Sequence, residues 1–220
     1  MKAETLASAG SSAAQFVLGH MLLSGQGVER DATAAYRWFR HAAQSGRADA
    51  INMVGRCHEC GWGVPVDRGE AARWYRMAAD KRHAWALFNL GSLMLAGDGV
   101  ERNGRGALAL FVRAARLGNA KAMTMIGQHR EEGSGTPKDL AAALRWYRRA
   151  AERGCFRGQY NLARFLARAG DFESAAHWVR ACCATAPAAF CRDVGLSLIA
   201  HHEPCLQSAG REALARAASV

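Results

Sequence analysis

The sequence predicts an all-α solenoid of antiparallel helix pairs, and three observations carry that prediction. A unit of 36 residues recurs: residues 119–154, NAKAMTMIGQHREEGSGTPKDLAAALRWYRRAAERG, are echoed at 83–118, 47–82 and 11–46. Each copy holds two stretches with apolar residues at helical spacing, separated by a Gly-rich turn. Invariant landmarks keep register: Gly19, Gly55, Gly91 and Gly127, then Gly27, Gly63, Gly99 and Gly135, then Trp38, Trp74 and Trp146. A period in this range marks supersecondary units that stack on a shared core, with no internal domain boundary expected.

The first unit, 11–46, follows an N-terminal segment at 1–10. Phe16, Leu18, Met21 and Leu22 give a first helix over about 11–24, and SGQGVERD breaks it. Asp31 is placed to cap a second helix carrying Ala34, Ala35, Trp38, Ala42 and Ala43, which Gly46 ends. The second unit, 47–82, predicts helices at 47–60 and 67–81; the third, 83–118, at 83–96 and 103–117; the fourth, 119–154, at 119–132 and 139–153. The small pairs Ala78/Ala79, Ala114/Ala115 and Ala150/Ala151 allow close helix approach, with the Trp residues as large core anchors and Leu110 in place of the third.

The fifth unit, 155–185, is shortened. Ala163 stands where the recurring Gly belongs, and Trp178 follows Trp146 by 32 residues, so the turn has lost four. Asp171 is its expected helix cap. Residues 186–220 read as a degenerate unit and a C-terminal helical cap, with a helix at 186–200, a chain break at Pro204 and a final helix at 206–218. A terminal unit must offer water a polar face, which favours this kind of departure.

Composition narrows the function classes. The formal charge is +10, from 29 basic and 19 acidic residues, which admits a polyanionic partner without selecting one. The start of the chain has no apolar run resembling a signal peptide, and no stretch of about 18 apolar residues could span a membrane. Seven cysteines, an odd number at irregular spacing, fit free thiols in a reducing cytoplasm.

ALFNLGSLMLAGDGVERN and AALRWYRRAAERG resemble the Sel1-like repeat family, relatives of the tetratricopeptide repeats. The resemblance covers 11–154 well and the fifth unit in part. It implies a right-handed superhelix whose first helices line a concave face, and an adaptor role in assembling protein complexes, most often in bacterial or endoplasmic-reticulum settings. It does not transfer a ligand, and the sequence assigns no cofactor.

Candidate sites follow from where one unit departs from its siblings. The G-x-G turns recur once per unit, follow helices and lack a P-loop Lys-Ser/Thr, so they are turn chemistry and assign no nucleotide. Cys57, His58 and Cys60 (CHEC) are a candidate zinc or redox set; the alternative is one buried and one exposed thiol. Trp62 stands in a turn where the siblings have Gln26, Asp98 and Ser134. Trp85 takes a first-helix position held elsewhere by Ala13, Asp49, Lys121 and Arg157. Each is a candidate interface anchor, or else covers a neighbouring repeat; lying at opposite helix ends, about 20 Å apart, they cannot share one pocket.

The expected concave face gathers Arg56, Asn89, Ser92, Gln128, Asn161 and Arg164, with Arg130 a turn further on. Asn and Arg there could hold a peptide backbone or carboxylate. Arg37, Arg40, Arg73, Arg76, Arg145, Arg148 and Arg149 form an outer basic stripe, which a polyanion could use, but no recognised nucleic-acid module accompanies it. The eight His are scattered and no catalytic constellation emerges. The sequence therefore reads as a non-enzymatic adaptor with a protein or peptide partner.

Overall fold

The computed structural model describes Ala7 and residues 10–219; residues 1–6, 8 and 9 of the N-terminal segment, and Val220, lie outside the described residues. Among the described residues there are twelve helices of two turns or more and no strand. They group into two compact units, one ending at Gly118 and the other starting at Asn119.

The first unit holds α1 (Ser12–Ser24), α2 (Ala32–Gln44), α3 (Ala48–Cys60), α4 (Arg68–Asp80), α5 (Ala84–Ala96) and α6 (Gly104–Arg116). They pack as α1/α2, α3/α4 and α5/α6, with α2 against α3 and α4 against α5. The second unit holds α7 (Ala120–Glu132), α8 (Leu140–Glu152), α9 (Phe156–Arg168), α10 (Phe172–Thr185), α11 (Ala188–Leu198) and α12 (Pro204–Ala218). Its pairs are α7/α8, α9/α10 and α11/α12, and α8 packs on α9. The last step differs, because α10 packs chiefly on α12 rather than on α11.

Helix ends fall within about two residues of the expected positions because the caps are written in the sequence. Asp31, Asp67, Asn103, Asp139 and Asp171 each accept the backbone N–H three residues on, at 2.7–3.1 Å. Where α3 and α5 end, the second Gly of each turn lies on the start of a second helix in the preceding pair. A Cβ on Gly63 would stand 2.2 Å from the Ala32 carbonyl oxygen, and one on Gly99 would stand 2.4 Å from the Arg68 carbonyl carbon. In these two turns the second Gly is thus a stacking device. At the other end of the chain, Pro204 does not break a helix but opens one: it is the first residue of α12, where a missing N–H goes unmissed.

The core anchors are corrected by one position. Trp38, Trp74, Trp146 and Trp178 are only partly buried. In the four regular pairs the next residue carries the core instead: Phe39, Tyr75 and Tyr147 after Trp, and Phe111 after Leu110, are all at 0% exposure. One residue is a rotation of about 100° on a helix, which moves the Trp to the edge of the apolar stripe. The buried ring lies on the recurring Gly of the partner helix. A Cβ on Gly19, Gly55, Gly91 or Gly127 would meet Phe39, Tyr75, Phe111 or Tyr147 at 2.5–2.8 Å. Gly and ring are therefore one packing unit, with each buried ring contributing about 1.5–3 kcal/mol.

In α9/α10 both partners change together. Ala163 replaces the Gly and Val179 replaces the ring, both buried.

Candidate interaction surfaces

In the first unit Trp85 is the second residue of α5, 48% exposed, with its ring edge-on to Phe88 at 6.1 Å between centroids. Asn89 follows one turn later, and its Nδ2 donates to Asn52 Oδ1 at 3.2 Å, tying α5 to α3. Trp62, partly buried just after α3, lies under the Arg56 guanidinium at 4.6 Å from the ring centroid. Arg56 and Trp62 thus form a local stack, whereas Trp85 and Asn89 belong to another helix.

In the second unit Gln128 and Arg130 are half-buried on α7. Asn161 and Arg164 belong to a charged network. Arg164 Nη2 lies 2.7 Å from Glu131 Oε2 and 3.5 Å from Asn161 Oδ1, Arg168 Nη1 lies 3.7 Å from Glu131 Oε1, and the Tyr147 hydroxyl donates to Glu131 Oε2 at 2.8 Å. Burial opposes the Glu131 charge, but hydrogen bonds from Arg164 and Tyr147 and the two guanidinium charges outweigh it and hold the carboxyl below its ordinary range. The same carboxylate raises Arg164.

A related pair sits in the first unit, where the Tyr75 hydroxyl donates to Glu59. Burial, the hydrogen bond and the Glu59 charge together push both tyrosine hydroxyls well above their usual range. Glu59 and Glu131 were missed in the sequence reading, although a signal was present. The column that holds them carries Leu23 and Leu95 in the other two units, and those units have Phe39 and Phe111 in place of Tyr75 and Tyr147. A buried hydroxyl needs an acceptor, so Tyr and Glu arrive together.

Cys57, His58 and Cys60 are not brought together as a ligand set. Cys57 is fully buried, and burial, with the neighbouring Cys60, pushes its thiol up to about 12. Cys60 is exposed at the helix end, while His58 Nε2 turns to the Tyr36 hydroxyl at 3.4 Å. Among the described residues no three His, Cys, Asp or Glu side chains are grouped to hold a metal ion. The outer arginines are exposed, and several are engaged locally: Arg40 lies over Tyr36, Arg149 over Trp146, and Arg73 pairs with Glu70 at 3.3 Å. No helix of the described residues is long and apolar enough to cross a membrane.

Capped helix pairs in tandem, four of them sealed by a Gly–ring contact, define a repeat protein of the helical solenoid class. The chain belongs to the Sel1 repeat family, whose pattern it matches at residues 12–46, 48–83, 86–119 and 120–155. Proteins of this family are typically non-catalytic scaffolds for protein–protein interaction.

Solved structures agree. A Sel1 repeat protein from Oxalobacter formigenes is 25% identical, with a TM-score of 0.84 over 96% of this chain and 89% of that one. The protective antigen c5321 of uropathogenic Escherichia coli, which displays the same repeat fold, is 28% identical with a TM-score of 0.74; the match covers 97% of this chain but only 47% of that one. Immunity protein Pa5087 of Pseudomonas aeruginosa, at 16% identity and a TM-score of 0.66 over 94% of this chain and 81% of that one, shares the fold. No curated protein matches the sequence significantly.

Proposed function

We propose that this chain is a non-enzymatic adaptor that holds a partner protein or peptide on the faces of its first helices. The observation that carries the reading is Trp85. It is the one large aromatic among the described residues that is close to half exposed, and it stands one turn from the Asn89 amide, which is already fixed by Asn52. An exposed indole beside an oriented amide suits a partner contact that combines an apolar anchor with a backbone hydrogen bond. Arg56 with Trp62 in the same unit, and Gln128, Arg130, Asn161 and Arg164 in the other, complete the proposed contact residues.

The setting we propose is a bacterial cytoplasm. All seven cysteines are unpaired, in keeping with a reducing compartment, and the similar solved structures are bacterial.

The test is affinity capture from source-cell lysate, with and without nuclease, using the full chain and its Trp85→Ala variant. A defined protein should be retained after nuclease and depleted at least tenfold by the substitution. Capture that disappears with nuclease would overturn the reading and turn attention to the outer arginines.

A further inference from the structure

The changed Gly–ring contact in α9/α10 has a consequence for the space beside it. In the four regular pairs a Phe or Tyr ring fills the gap against Gly. Val179 stands in its place, and a cavity of about 270 Å³ lies beside Val179 and Ala163, bounded on its other side by Ser197, Leu198, His201 and Leu206. Its floor is apolar, made by Ala163, Val179, Leu198 and Leu206, and Arg164 and Arg168 stand among its lining side chains. Both guanidinium groups face a single acid, Glu131, so this rim carries one positive charge in excess. Arg164 has five N–H donors and engages Glu131 and Asn161 through Nη2 alone, which leaves others to offer.

The volume sets an upper bound on the occupant. It lies just below the roughly 300–1,000 Å³ of sites for drug-sized ligands, and leaves room for an apolar side chain. An excess guanidinium charge at the mouth of an apolar hole calls for a carboxylate directly beside that side chain. We propose that this cavity is a peptide-binding pocket, taking one Leu- or Phe-sized side chain with the adjoining carboxylate held by Arg164 and Arg168. The carboxylate is either the C-terminus of the peptide or the side chain of a neighbouring acidic residue. The proposal rests on the reading of the chain as a peptide-holding scaffold and gives it a ligand chemistry.

Fluorescence anisotropy on the full chain tests it with three labelled peptides: one ending in Leu as the free acid, the same peptide as its C-terminal amide, and an amidated peptide with an internal Glu-Leu. The free acid should bind, and the plain amide should bind at least tenfold more weakly. Binding by the Glu-Leu amide at the strength of the free acid would assign the carboxylate to a neighbouring side chain; its failure would assign it to the C-terminus. The double variant Ala163→Gly/Val179→Phe recreates the regular contact, refills the cavity and leaves both arginines in place. It should lose binding at least tenfold while helical circular dichroism and melting are retained. Arg168→Gln, at an exposed guanidinium, should weaken the free acid several-fold and leave the plain amide unchanged.

The proposal is overturned if none of the peptides binds, if refilling the cavity leaves affinity unchanged, or if octanoate binds more tightly than the peptides, which would make the occupant a small free acid. Because purified chain and defined peptides are used, these outcomes are separate from the lysate capture. A failed peptide assay with successful capture removes the pocket and keeps the adaptor.

Discussion

The pairs α5/α6 and α9/α10 are written to one plan and end in opposite results. In the first, Gly91 lets the Phe111 ring lie on the helix backbone, and that ring is fully buried. In the second, a methyl group at Ala163 faces the short Val179, and a cavity of about 270 Å³ opens beside them. The fold tolerates the exchange because each partner compensates the other: a smaller residue in the ring position makes room for a larger one in the Gly position. Such a solenoid can make a site without a new element, by thinning one contact in its core.

The comparison breaks most readily at the rings. Phe111→Ala should destabilise by about 3–5 kcal/mol in urea unfolding, as removal of a buried aromatic side chain does. Val179→Ala, beside space that is already empty, should cost about 1–2 kcal/mol. Trp146→Ala should fall below the ring substitution, since its indole is only partly buried. Equal losses at Trp146 and Phe111 would return the anchor role to the tryptophans. The Gly side of the contact comes next. Ala is the better helix former by about 1 kcal/mol, yet Gly91→Ala should destabilise by about 1–3 kcal/mol, because its Cβ would stand 2.8 Å from a ring with no room to move. A stabilising Gly91→Ala would mean that the ring adapts and that the contact is not a constraint.

Most of this architecture was legible beforehand. The 36-residue period, the Asp and Asn caps and the left-handed Gly residues are local signals, and each predicts one feature of the backbone. The core was misread by one residue because Trp is the most conspicuous repeating letter, whereas Phe39, Tyr75, Phe111 and Tyr147 form a mixed column that shows only an aromatic property. The candidate site was less legible. Asn161 and Arg164 were expected to face a partner, but nothing local in the sequence announces Glu131, which lies 33 residues before Arg164 and draws both into its network. The cavity was half visible: Ala163 was recognised as a departure from the Gly pattern, but its significance depends on Val179 across the pair.

The two Tyr–Glu contacts sharpen the comparison among the regular repeats. Tyr75→Phe leaves the Glu59 carboxylate, partly buried on α3, without its hydroxyl donor, and should cost about 1–3 kcal/mol. Adding Glu59→Leu copies the pairing of Leu23 with Phe39 and of Leu95 with Phe111, and should recover most of that loss. Chemical unfolding of the two single variants and the double variant forms a cycle, and a coupling near zero would show that Tyr and Glu act independently.

The smallest effect distinguishes the Glu131 network by pH. Its carboxyl is held below the unfolded value, so its contribution to stability is complete above the ordinary carboxylate range and is lost as pH falls through the depressed folded value. Acid titration of the melting temperature should therefore show a loss that Glu131→Gln flattens. Arg164→Met, which removes the guanidinium 2.7 Å from Glu131 Oε2, should flatten the acid limb less. If Arg164→Met leaves the acid limb unchanged, the Arg164 guanidinium contributes nothing beyond the tyrosine hydroxyl. Arg164 would then be held in place by packing rather than by its carboxylate, and its guanidinium would be correspondingly freer to meet a ligand.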